Sequence, residues 1–128
     1  MIRAVALLLV LLAGCKSNDP VGRPSLGLDA SDGRIVVEVL NGSNRTGYAR
    51  RGTLALRAAG IDVVNYGTAD TLVDSTLVLV RRGKVSRGRA VARALGLGIV
   101  REAIDTLRRV DVTVILGRDW KPAEGGRP

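Results

Sequence analysis

One stretch constrains the fold more than any other: Arg34-Ile35-Val36-Val37-Glu38-Val39-Leu40-Asn41-Gly42-Ser43-Asn44-Arg45-Thr46-Gly47-Tyr48-Ala49. It opens as a strand, because β-branched residues dominate it, with Ile35, Val37 and Val39 on one pleat face and Glu38 on the other. It then turns at Asn41-Gly42, residue types that tolerate positive φ. Ser43, Asn44 or Thr46 can cap a helix beyond the turn by accepting amide protons that lack a partner in its first turn. One strand therefore passes through a tight glycine turn straight into a helix, and the rest of the chain reads as the remainder of the domain this unit starts.

The helix is expected over about Arg45–Ala59, with Ala49, Gly52, Leu56 and Ala59 toward the sheet and Arg50, Arg51 and Arg57 outside. Gly52 costs up to ~1 kcal/mol relative to Ala, which a close approach to the sheet would explain. Gly60 is a natural stop. Strands are expected at Ile61–Tyr66 and Thr76–Arg81, the latter apolar on both faces and so interior to the sheet. A second helix is expected over Ser86–Leu95, with Val91, Ala92 and Leu95 inward, and a closing strand over Val110–Leu116. Ile99–Arg101 reads as a short extra edge strand. The order β-α-β-β-α-β predicts an α+β domain of the split βαβ, ferredoxin-like kind, two helices covering one face of an antiparallel sheet. A small open α/β sheet with some parallel pairs is the alternative.

Val37-Glu38-Val39-Leu40-Asn41-Gly42-Ser43, then Gly47-Tyr48-Ala49 and a helix ending Arg57-Ala58-Ala59-Gly60-Ile61-Asp62-Val63-Val64, resembles the LytR C-terminal domain family. The similarity continues to Asp111-Val112-Thr113-Val114-Ile115-Leu116-Gly117-Arg118-Asp119-Trp120, which is similar to the family's closing strand, so it covers about 34–120. The resemblance implies a module of cell-envelope proteins, often found behind the catalytic domain of LytR–CpsA–Psr cell-wall ligases. That ligase activity resides in a separate domain and is not carried over to these residues.

The first residues read as an address. Arg3 is a positive n-region and Ala4–Ala13 an unbroken apolar run, shorter than the roughly 20 residues a spanning helix takes. Leu12-Ala13-Gly14-Cys15 resembles a bacterial lipobox, so 1–14 is expected to be a lipoprotein signal peptide and Cys15 the lipidated first residue. A lone Cys placed there needs no disulfide partner. Residues 15–33, rich in Pro, Gly, Ser and Asp, are expected to be a flexible tether, 34–120 the domain, and 121–128 a disordered tail. The location implied is the bacterial cell envelope, lipid-anchored at the outer membrane or the extracytoplasmic face of the plasma membrane. Lys16, where an Asp would resemble an inner-membrane retention signal, leans toward the outer membrane.

A net charge of +8 favours anionic partners: phosphate polymers, acidic glycans, lipid head groups or nucleic acid. Nucleic acid is disfavoured by the export leader, and aromatics at 2% with no Phe leave no base-stacking platform. With no His and one Cys, zinc-type ligand sets and His-based triads are excluded within this chain, and no metal or cofactor is expected. Gly42 and Gly47 have the spacing of a phosphate loop, but Tyr48-Ala49 stands where Lys-Ser/Thr should be, which rejects a nucleotide-hydrolysing loop. A weaker reading keeps Asn41, Gly42, Ser43 and Gly47 as a turn and helix cap that, with Arg45, offers amides to an anion. The strongest charge feature is Arg81-Arg82-Gly83-Lys84-Val85-Ser86-Arg87-Gly88-Arg89. Cations at a helix N-terminus oppose its dipole, so keeping them there points to a basic surface held for a partner. Arg45, Arg81, Arg82, Lys84, Arg87 and Arg89 are thus the candidate ligand-binding residues. The scattered carboxylates and the unassisted Ser43 and Ser86 supply no acid–base pair or activated nucleophile. The chain reads as a non-catalytic, membrane-anchored module for anionic cell-wall glycopolymer or peptidoglycan, or as a scaffold for an envelope protein partner.

Overall fold

The computed structural model describes residues 33–123. The expected leader, lipidated Cys15, most of the tether and most of the tail lie outside the described residues. The elements are β1 (Val36–Asn41), α1 (Tyr48–Ala58), β2 (Asp62–Thr68), β3 (Leu77–Val80), α2 (Val85–Leu95), β4 (Ile99–Glu102) and β5 (Val112–Leu116). Strand order is β2-β1-β5-β3-β4. β1 runs parallel to both β2 and β5, β3 runs parallel to β4, and β3 meets β5 antiparallel. The sheet is therefore two βαβ units, β1-α1-β2 and β3-α2-β4, pointing in opposite directions and joined by β5.

The α+β class and the two helices on one face agree with the sequence. The antiparallel split βαβ pairing does not: the sheet is mixed, as in the alternative reading. Each helix returns the chain to the slot beside the strand it left, as a helical crossover between parallel neighbours does. The final strand is then the one that enters between β1 and β3. Ile99–Glu102, expected only as an extra edge strand, completes the second unit.

Alternation places Val37, Val39, Val112, Val114, Leu116, Val78 and Val80 on the helix-covered face, and all are buried. Ala49, Gly52, Thr53 and Leu56 of α1 and Gly88, Ala90, Val91 and Leu95 of α2 meet them. The core is built from small aliphatic side chains, and two glycines let the helices lie low. A Cβ on Gly52 would stand 2.9 Å from Leu116 Cδ1, and one on Gly88 2.6 Å from Val80 Cγ2 and 2.7 Å from Val100 Cγ1. Trp120 closes the core at one end. Its ring meets Tyr48 edge-on at 5.5 Å and its Nε1–H donates to the Leu95 carbonyl at 3.2 Å. α1 ends as the sequence predicted: Gly60, at φ 83°, donates to the Arg57 carbonyl and Ile61 donates to that of Leu56, both at 3.0 Å.

On the opposite face, Leu40, Ile115 and Leu77 form a half-buried row, while Glu38 and Thr113 form a polar one. The β4–β5 connection, residues 103–111, is tied to this polar row.

Candidate functional site

The β1–α1 turn is organised by one amide. Asn41 Oδ1 accepts the Ser43 N–H at 3.0 Å and the Ser43 hydroxyl at 2.6 Å, and Asn41 Nδ2 donates to the Arg45 carbonyl at 2.7 Å. The Ser43 hydroxyl in turn accepts the Arg45 N–H at 3.1 Å. Ser43 is thus a turn residue and does not cap the helix. The N-cap is Gly47, in the left-handed region at φ 82°, and α1 begins at Tyr48, three residues later than expected. The positive φ expected at Asn41-Gly42 falls instead on Asn44 (φ 62°) and Gly47. Gly42 is needed for close approach. Its N–H donates to the Leu116 carbonyl at 2.8 Å, and a Cβ there would meet Ile115, Val73 and Leu116 at 3.0–3.1 Å.

This turn borders an open cleft of about 240 Å³ lined by Asn41, Gly47, Ala49, Arg50, Tyr66, Gly67 and Thr68. The cleft lies at the carboxyl ends of the parallel strands β1 and β2 and against the start of α1, where open parallel sheets bind ligands. Gly47 provides no side-chain cap, and the first turn of α1 carries no acidic residue. It carries Arg50 and Arg51 instead, both exposed. Arg45 lies over the Tyr48 ring, 5.9 Å from its centroid. The positive end of the helix dipole and the Arg50 guanidinium therefore meet on one edge of the cleft. Arg45, expected here, lies over Tyr48 and is not part of the lining; Asn41 and Gly47 are, and sequence reasoning missed Arg50, Tyr66 and Thr68. Their proximity depends on β2 lying beside β1.

The Arg81–Arg89 cluster is at the other end of the sheet. β3 runs against β1 and β5, so Val80 pairs with Val112, which pairs with Val37. Arg81 Nε donates to Thr113 Oγ1 and its Nη1 to the Ala103 carbonyl, both at 3.1 Å. Burial pushes the Arg81 guanidinium below its ordinary value, the Arg108 charge adds to this, and Asp105 and Glu38 oppose it. Arg82 donates to the carbonyls of Thr106 and Arg108. Arg87 pairs with Asp111 at 2.9 Å. Lys84 and Arg89 stay exposed. Neighbours on a strand point to opposite faces, so the cluster is not expected to form a single patch, and the structure divides it further, with Arg81, Arg82 and Arg87 spent on internal contacts. Trp120 is buried in the core and takes no part in this surface.

Among the described residues no group of three or more Cys, Asp or Glu could hold a metal ion, and no helix is long and apolar enough to cross a membrane.

A small mixed sheet under two helices, with the turn and closing strand described, defines a single small α+β module. The chain belongs to the LytR_C family, described as LytR cell envelope-related transcriptional attenuator, matched over residues 34–120. Among solved structures it is similar to the soluble domain of a conserved hypothetical secreted protein from Mycobacterium marinum, at 26% identity and TM-score 0.51. That match covers 73% of this chain, which spans just under two thirds (66%) of the neighbour's length. A second similarity, to the C-terminal domain of RV0431, has 29% identity and TM-score 0.41, covering 66% of this chain and 72% of that one. Among curated proteins none matches.

Proposed function

We propose that the chain is a non-catalytic accessory module of the cell envelope, lipid-anchored through Cys15, that holds anionic cell-wall glycopolymer or peptidoglycan in the cleft at the start of α1. One observation carries the reading: an uncapped helix N-terminus, free of acid and bearing Arg50 and Arg51, borders an open cleft at the strand ends that Arg50 lines. Two cations at the positive end of a helix each cost about 0.3–1 kcal/mol in the isolated fold. An anion bound there reverses the sign of that interaction. At about 240 Å³ the cleft is smaller than a typical ligand pocket of roughly 300–1,000 Å³, a size suited to one charged unit of a longer polymer.

The test is cosedimentation of the protein with purified cell wall. Arg50→Glu places an acid in the first turn of α1, so it should leave thermal stability unchanged or slightly raised while lowering wall binding several-fold. Arg45→Glu should lower binding likewise, and added salt should weaken it. Wall binding that withstands salt and both substitutions defeats the reading. A second reading, a scaffold for an envelope protein, has an observation of its own: Val64 and Tyr66 are exposed on the edge strand β2. A partner lost on Val64→Lys, with wall binding intact, would favour it.

A further inference from the structure

We infer that the β4–β5 loop, around Ile104 and Leu107, is a contact by which the domain rests on an anionic lipid surface. Leu107 is 92% exposed and Ile104 58%, the two most exposed large apolar side chains among the described residues. They are held outward by a fixed loop. Ala103 N–H donates to the Val80 carbonyl at 2.9 Å and Asp105 N–H to that of Arg81 at 3.1 Å. Asp105 Oδ1 accepts the Leu107 N–H at 3.1 Å, and the Asp105 carbonyl accepts the Arg108 N–H at 3.2 Å. From beneath, Arg81 and Arg82 donate to the carbonyls of Ala103, Thr106 and Arg108, while Arg108 pairs with Glu38 and Asp105. The loop's hydrogen-bonding groups are thus drawn inward and its apolar groups left in water, an arrangement that favours a nearby nonpolar medium.

The flanking charge selects the kind of surface. Arg101, Arg109 and Lys84 are exposed near the tip, with Glu102 the exposed carboxylate among them and Asp105 engaged by Arg108. A short apolar projection ringed mostly by cations fits the boundary between acyl chains and anionic head groups. The chain enters the fold at the same end. Asp111, where the loop runs into β5, exchanges hydrogen bonds with Val36 at 2.8 and 2.9 Å, and Arg34 pairs with Asp62 beside it. The chain therefore enters the domain at the end of the sheet that carries this loop. The cleft lies at the other end of β1, six residues or roughly 20 Å away.

The inference rests on the envelope placement proposed above but not on the polymer cleft, and the two can fail separately. The chain from Lys16 to Pro128 contains every buried core residue among the described ones and lacks both the apolar leader and Cys15. It should float with vesicles of phosphatidylcholine plus phosphatidylglycerol and stay behind with phosphatidylcholine alone. Leu107→Ser should reduce flotation about tenfold, as expected when one leucine no longer leaves water, and Arg109→Glu should reduce it ~10-fold by reversing a charge near the head groups. Neither change should alter the melting temperature or wall cosedimentation. Absence of flotation, flotation that survives Leu107→Ser, or a dimer in sedimentation velocity that Leu107→Ser dissolves would each overturn the proposal.

Discussion

Gly88→Ala tests how closely α2 sits on its strands. In a helix interior Ala is better than Gly by up to about 1 kcal/mol, so propensity alone makes the variant more stable. The structure reverses that sign. The new Cβ would lie 2.6 Å from Val80 Cγ2 and 2.7 Å from Val100 Cγ1, with Val78 Cγ1 at 3.7 Å. Carbon contacts are comfortable at roughly 3.5–4.0 Å, so about 1 Å must be found. Val80 is fully buried, and both close neighbours are β-branched side chains with restricted χ1. Moving α2 outward instead disturbs Ala90, Val91 and Leu95 together. Overpacking costs about 1–3 kcal/mol, and two contacts as short as 2.6 and 2.7 Å place this site in the upper part, about 2–3 kcal/mol, so after the propensity gain we expect a net loss of about 1–2 kcal/mol. For a domain of this size that lowers Tm by roughly 4–15 °C, read by circular dichroism or calorimetry. Val100→Ala should relieve half the clash, so the double variant should be less destabilised than the sum of the two singles. Gly67→Ala, where a Cβ meets nothing within 4 Å, is the control and should keep or raise Tm. A Gly88→Ala protein that melts at or above the wild-type temperature refutes the reasoning.

Trp120→Ala should cost about 3–5 kcal/mol, a large share of the stability of a small domain, and be visible as loss of a cooperative melt. Asp119→Ala removes the acceptor that holds the Thr76 N–H at 2.9 Å and its hydroxyl at 2.8 Å, so chemical denaturation should show a loss of about 1.5–3 kcal/mol. Arg81→Ala should destabilise by about 2 kcal/mol through the Thr113 and Ala103 contacts, whereas Arg89→Ala should stay within about 0.5 kcal/mol of wild type. Paired denaturant melts separate the two arginines, and equal effects would contradict the division of the cluster.

The sequence showed the elements clearly because local chemistry makes them. The alternation of Val37 and Val39 with Glu38 put the right residues inside β1, and the stop at Gly60 holds to the residue. The neighbours of each strand were less legible. Alternation in Val112, Val114 and Leu116 says which face is buried but not that β5 lies between β1 and β3. That placement decides the cleft, because it leaves β2 at the edge beside the start of α1. The charges misled for a related reason. Arg81 and Arg82, adjacent on a strand, read as cations on opposite faces that a partner could use. The Ala103–Asp111 connection, with no periodicity of its own, supplies carbonyls to both of them and the Asp111 carboxylate to Arg87. Asn41 was legible as a turn former, but its three simultaneous hydrogen bonds depend on where Ser43 and Arg45 come to rest.

The strand at the centre of the sheet is the last one synthesised. Until Val112–Leu116 arrives, β1 and β3 each have an open flank and neither helix has its full floor. A polypeptide that locks only when its tail slots into the middle stays threadable for as long as the tail is still to come. In this envelope-associated family member, closure of the core therefore waits on residues 112–116.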